Sequence, residues 1–190
     1  MNHDPVGFSR DLQKPGNDRI SELIVLSKSQ ADTEKLGFRL SGLVGAGSVI
    51  SLTGDLGAGK TALARGLAAG LHCHGVVASP TFTILMEHPA GEGGLPLYHF
   101  DAYRLGNSDA FIDLGLAEYL DGEGVSVIEW GDLVSDILPE RTIWLRIAAV
   151  EGAPQSRRIS IKWPGGKEMI AALAGNPPPK AVSKSKSGRE

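Results

Sequence analysis

The eight residues Gly54, Asp55, Leu56, Gly57, Ala58, Gly59, Lys60 and Thr61 follow the spacing G-x-x-x-x-G-K-[ST]. That spacing suits a loop that cradles phosphate, a P-loop. Glycines let the backbone turn tightly and aim successive N–H groups into one concavity. A helix starting where the loop ends adds its positive pole. Lys60 is then placed to reach the outer phosphates of a nucleoside triphosphate, and the Thr61 hydroxyl to ligate Mg2+. A pattern this short also arises by chance in glycine-rich loops, so its flanks decide. Ser48–Thr53 is short, apolar and β-branched, which predicts a buried strand, and Ala62–Leu71 predicts a helix. Strand, glycine loop and helix is the order that phosphate binding requires.

Two acids downstream invite the same chemistry. Val125–Gly131 reads as a buried strand that ends in Glu129. Beside a phosphate-loop strand, such a terminal carboxylate meets Mg2+ directly or through water; the alternative is a surface glutamate at a strand end. Trp130 either packs a wall near the nucleotide or offers its indole N–H. Leu95–Tyr103 predicts another strand, with Tyr98, Phe100 and Ala102 on one face and His99, Asp101 and Tyr103 on the other. Asp101 is thus an acid in an otherwise apolar strand. Spacing alone leaves it as a functional carboxylate, a solvent-facing edge residue or a partner of Arg104. His72-Cys73-His74 offers three metal-ligating side chains in a row. Adjacent residues at a helix end point in different directions and no second cluster has the needed spacing, so a plain helix terminus is the better reading.

The remaining chain must position these groups. Ile20–Leu26 predicts a first strand. Ser29 predicts a helix cap with Asp32 three residues on, and Leu36, Leu40 and Leu43 follow at helical spacing, with Gly45 and Gly47 closing that helix. In Ser79-Pro80-Thr81-Phe82-Thr83, Pro80 forces an extended turn. Ile84–His88 and Leu95–Tyr103 then predict an antiparallel hairpin with a glycine-containing tip. Ser108–Leu120 predicts one short helix or two. Asp132–Leu138 predicts a short helix stopped by Pro139, Arg141–Ile147 and Arg157–Trp163 two more strands, and Lys167–Leu173 a last helix. Arg157 and Arg158 stand at a strand start, within reach of a nucleotide, although arginines in that place usually just meet solvent.

With 190 residues, the chain predicts one domain over residues 20–173, flanked by a polar mobile arm over 1–19 and a Pro/Lys/Ser-rich disordered tail over 174–190. A net charge of -3 argues against nucleic-acid binding by bulk charge. One cysteine excludes an internal disulfide and suits a reducing compartment. No apolar run is long enough to span a membrane, and the first residues lack a secretion signature, so the expected location is the cytoplasm.

The P-loop, Ser79-Pro80-Thr81-Phe82-Thr83, Tyr98-His99-Phe100-Asp101-Ala102-Tyr103-Arg104-Leu105, Gly115-Leu116 with Glu118-Tyr119, and Val127-Ile128-Glu129-Trp130 occur in this order. Together they closely resemble the bacterial TsaE (YjeE) family, over about Leu23 to Lys162. The resemblance implies an α/β fold, a P-loop NTPase-like mixed sheet sandwiched by helices. It implies an ATPase that binds and hydrolyses ATP with Mg2+ in making threonylcarbamoyladenosine in tRNA. Its partners would be the TsaD and TsaB proteins, with tRNA met only indirectly through the complex and no membrane involved. It assigns Gly54–Thr61 to the phosphates, Thr61 and Glu129 to Mg2+, Asp101 to the family's important acid, Ser79–Thr83 to a switch-like segment, and Ser29–Thr33, Thr33 included, to the adenine side. Lys60, Asp101 and Glu129 are the expected catalytic residues. Two other readings stand beside this one. An ATP-gated binding module would bind ATP with incidental hydrolysis. A P-loop small-molecule kinase should carry an arginine-rich lid, whereas Gly106–Gly124 contains no arginine.

Overall fold

The computed structural model describes residues 20–80 and 82–175. The expected arm and tail lie outside these residues, except Ala174 and Gly175, which close the last helix. Seven strands form one sheet in the order β1-β7-β6-β2-β5-β4-β3. These are β1 (Ile20–Ser27), β2 (Val49–Thr53), β3 (Leu85–His88), β4 (Leu97–Asp101), β5 (Val125–Glu129), β6 (Ile143–Val150) and β7 (Ala153–Pro164). The four central strands β6, β2, β5 and β4 run parallel. Antiparallel strands extend both margins: β7 and β1 beyond β6, and β3 beyond β4. This is the mixed sheet with helices that the sequence predicted.

Burial follows the parallel centre. Every residue of β2 and β5 is buried, as expected for strands covered on both faces. One face packs on α1 (Gln30–Ser41) and α2 (Lys60–Gly70), through Ile50, Leu52, Leu97, Val127 and Leu145 against Leu36, Leu40, Leu63 and Leu67. α4 (Lys167–Leu173) joins this layer. The other face, over β2, β5 and β4, is covered by α3 (Ser108–Asp113) and by 3-10 turns at Leu116–Asp121 and Gly131–Val134, around Phe100, Phe111 and Ile128.

Helix starts obey local rules. Ser29 caps α1 by accepting from the Asp32 N–H at 3.1 Å, and Asp32 reaches back to the Lys28 N–H at 3.2 Å, a near relative of the reciprocal capping box. Thr33, Leu36, Gly37, Leu40 and Ser41 form its buried stripe. α1 ends at Gly42, earlier than the Gly45 and Gly47 expected from sequence. α1 and α2 approach so closely that a Cβ on Gly66 would collide with the Glu34 carbonyl. The predicted strand through Tyr103 stops at Asp101, whose side chain accepts from the Tyr103 N–H at 3.0 Å and starts a short 3-10 turn. Such a local side-chain bond competes with strand continuation. Likewise Asp132–Leu138 contains only the end of the Gly131–Val134 turn rather than a helix.

Candidate functional site

The site forms where β2, β5 and β4 end together. Gly54 leaves β2 at φ 136°, and a Cβ there would run into the Ile147 carbonyl of neighbouring β6, so only glycine fits. Gly59, at φ 108°, turns the chain into α2. α1 and α3 carry side-chain caps, from Ser29 and Asn107. α2 has neither a side-chain cap nor an acid in its first turn. Its first N–H groups and positive pole are left for an anion.

Lys60 opens α2 and is buried. Its Nζ donates to the carbonyls of Gly54 at 2.7 Å and Asp55 at 3.0 Å, and sits 3.8 Å from the centre of the Trp130 ring. Burial pushes the Lys60 ammonium below its ordinary pKa, while the negative charges of Glu129, Asp101, Asp55 and Asp132 oppose that shift. Trp130 takes a left-handed backbone, φ 59° and ψ 36°. This conformation is rare for a bulky residue and costs backbone strain. It turns the indole over Lys60, with Tyr103 against its other neighbourhood at a ring separation of 5.1 Å.

Strand parity gathers the acids. Leu97, His99 and Asp101 share the face of β4 that meets α2, as do Val125, Val127 and Glu129 on β5. The parallel register sets Asp101 opposite Glu129 and His99 opposite Val127. Asp101 is 3% exposed and Glu129 4% exposed, so the solvent-facing reading of Asp101 is corrected. The Thr61 hydroxyl donates to Glu129 Oε1 at 2.7 Å, and His99 Nε2 lies 3.0 Å from the same oxygen. A hydroxyl, two neighbouring carboxylates, an ammonium and a free helix start thus converge. Such a set suits a phosphate chain and a hard cation with oxygen ligands.

A hollow of about 340 Å³ opens beside the loop, lined by Gln30, Thr33, Gly57, Gly59, Pro154 and Arg157. Thr33 is buried there, its Oγ1 2.7 Å from Ser27 Oγ. A larger hollow of about 430 Å³ lies at the opposite end of β2, between Leu43, Val49, Arg141 and Trp163.

Residues 27–159 match the family described as "Threonylcarbamoyl adenosine biosynthesis protein TsaE". The chain belongs to the TsaE family. A TsaE of Treponema pallidum is 41% identical over 136 residues, covering 72% of this chain and 97% of that protein. A TsaE of Streptomyces coelicolor is 45% identical over 130 residues, 67% of this chain and 87% of that protein. Both carry the name tRNA threonylcarbamoyladenosine biosynthesis protein TsaE. The crystal structure of Bacillus subtilis YdiB superposes with a TM-score of 0.67 at 32% identity, covering 82% of this chain and 96% of that one.

Of the residues expected at the site, Lys60, Thr61, Asp101, Glu129 and Trp130 lie together at the end of the glycine loop, and Thr33 lines the hollow beside it. Leu56 stands apart at the loop tip, 92% exposed. In the Ser79–Thr83 segment, Phe82 is exposed and carries the Arg104 guanidinium 5.1 Å above its ring; Thr81 lies outside the described residues. Cys73 donates its thiol to the Leu95 carbonyl, and His74 bonds through its backbone to Pro89, so the His72–His74 stretch is held against the 89–95 loop. Two residues were undervalued from sequence. Arg157 does not simply meet solvent: its Nε donates to the Ala58 carbonyl at 2.8 Å and buttresses the glycine loop. The signal was parity, since Arg157 shares its strand face with Ile159, Ile161 and Trp163, all in the core. His99 reads from sequence as a face-mate of Asp101 and a member of the Tyr98–Leu105 motif, with no role of its own.

Proposed function

We propose that this chain is the ATP-binding and hydrolysing component of the machinery that makes threonylcarbamoyladenosine in tRNA, acting with TsaD and TsaB proteins. The observation that carries the reading is the Thr61–Glu129 contact at 2.7 Å at the mouth of an uncapped helix and glycine loop. Family membership supplies the pathway; the geometry supports the nucleotide.

The backbone from Gly54 to Thr61 holds the phosphates, and Lys60 exchanges its carbonyl contacts for their oxygens. The hollow beside Thr33 takes the adenine side. Thr61 and Glu129 are the residues that would hold Mg2+, because both offer hard oxygen atoms next to the phosphate position. When bound, that ion neutralises charge that builds on the transferred phosphoryl group. Asp101, beside Glu129, orients the attacking water. Trp130 keeps the Lys60 ammonium aimed at the loop. No arginine contacts this cluster from the Gly106–Gly124 stretch, which favours hydrolysis over transfer to an acceptor. Slow hydrolysis by the isolated chain and stimulation by its partners follow, since charge stabilisation is incomplete in one chain.

The test is phosphate release from ATP by the chain alone and with TsaD plus TsaB, in Mg2+. Stimulated release that drops roughly a hundred- to a thousand-fold in Lys60→Ala is the expected result, comparable to losing one preorganised charge-stabilising donor. Stimulated release should also vanish in Glu129→Ala. ATP binding with no hydrolysis, even in the assembled complex, would instead make the chain an ATP-gated module.

A further inference from the structure

We propose that His99 is the positioning residue for the Glu129 carboxylate: it fixes the side chain through Oε1 and so presets the site for Mg2+. The proposal rests on the Mg2+ and ATP reading above.

His99 sits in the middle of β4, 0% exposed. Its strand neighbours Leu97 and Phe100 are apolar and equally buried. A packing role at this position would be served by another apolar side chain. Burying an imidazole instead is costly unless its polar atoms are bonded. The hydrogen bond that compensates runs from Nε2 to Glu129 Oε1, at 3.0 Å. A carboxylate only accepts, so Nε2 carries the proton. The other ring nitrogen, Nδ1, meets no hydrogen-bonding partner. The one side-chain hydrogen bond the ring makes to the protein therefore goes to one oxygen of one acid.

That oxygen is also the one to which Thr61 donates, at 2.7 Å. Two donors from different elements, β4 and the start of α2, pin Oε1 from two sides. A glutamate at a strand end otherwise turns about its side-chain bonds. Held in this way, it presents Oε2 for the cation or the water around it. Donors behind a metal-binding carboxylate orient it before the metal arrives, and losing such a partner typically costs about 10- to 100-fold in metal affinity.

The experiment is calorimetric titration of the full chain with nucleotide, over a series of Mg2+ concentrations and in EDTA. His99→Phe keeps a ring but no donor. His99→Gln places an amide nitrogen near the position of Nε2. The expected result is a Mg2+ midpoint raised roughly 10- to 100-fold in His99→Phe, with the affinity in EDTA unchanged and most of the loss restored in His99→Gln. If His99→Phe does not fold, His99→Gln against His99→Asn makes the same comparison, because the asparagine amide is too short to reach Oε1. A Mg2+-dependent wild type with an unshifted midpoint in the variant overturns the proposal alone. So does an equal shift in the donor-carrying and donor-lacking variants, or a parallel loss of affinity in EDTA, since each marks simple packing. A wild type whose nucleotide affinity ignores Mg2+ overturns the metal reading and this proposal with it.

Discussion

A second buried histidine lies behind the first. His88, on β3, has its ring centre 6.2 Å from that of His99 and is 3% exposed. Burial, and then the neighbouring His99, hold its pKa below the ordinary histidine value. An unfolded histidine takes up a proton near pH 6.5. The folded His88 resists that proton, so the unfolded chain binds more protons in the interval between the lowered value and about 6.5. Stability therefore rises with pH through that interval and falls when the protein is acidified through it; above it, His88 has no effect. Urea midpoints measured from pH 7 down to pH 5 should fall, and His88→Leu should flatten part of that fall. An unchanged slope in the variant would assign the acid sensitivity to other groups. Site chemistry at this scale was partly legible in the sequence. The glycine loop, Glu129 and Asp101 announce themselves by motif or by an acid in an apolar run. Arg157 and His99 did not: Arg157 acts on carbonyls of a loop about a hundred residues away in sequence, and His99 on an acid of the neighbouring strand, and a single sequence does not state which distant segments meet.

Elements were legible where periodicity is strong. β1, β2, β5 and α4 stand close to where alternation or helical spacing puts them. The elements that shifted are those in which a side chain bonds its own backbone, as at Asp101, or in which Gly42 ends a helix before the glycines expected to. The order of strands in the sheet was not legible beyond the β2–β5 neighbourhood and the β3–β4 hairpin, because long-range pairing leaves no local trace. The α1–α2 contact was also hidden: it is a close approach of backbones at Gly37 and Gly66, and of the Ser41 hydroxyl to Gly70, glycines which in sequence look like weak points in helices. Gly66→Ala tests it. In a loose contact the substitution would raise helix propensity and stabilise the fold. Here the new Cβ strikes the Glu34 carbonyl, so destabilisation of about 1–3 kcal/mol is expected from overpacking. Chemical denaturation checks the sign, and a stabilised variant would refute the close packing.

Across the whole molecule the two margins of the sheet differ. β3 rests on β4 through a local hairpin, whereas β1, among the described residues, pairs only with the distant β7, Ile20 opposite Pro164 through Ser27 opposite Arg157. β1 covers the long edge of β7 and carries the exposed Ile24 and Leu26 on one face. Removing residues through Ser27 would uncover that edge, and an open edge of this length invites pairing with another chain. Size-exclusion chromatography should then show aggregates in place of a discrete species. No described helix is long and apolar enough to cross a membrane. The β1–β7 pairing also has a bearing on synthesis. The ribosome releases β1 first and its one partner after every other strand. The centre of the sheet, with the glycine loop and both acids, can assemble while β1 waits. The growing chain thus carries the glycine loop and both acids before the Arg157 buttress and the far wall of the neighbouring hollow, which β7 supplies, and a stall before β7 emerges leaves a strand that only a late arrival or another nascent chain can satisfy.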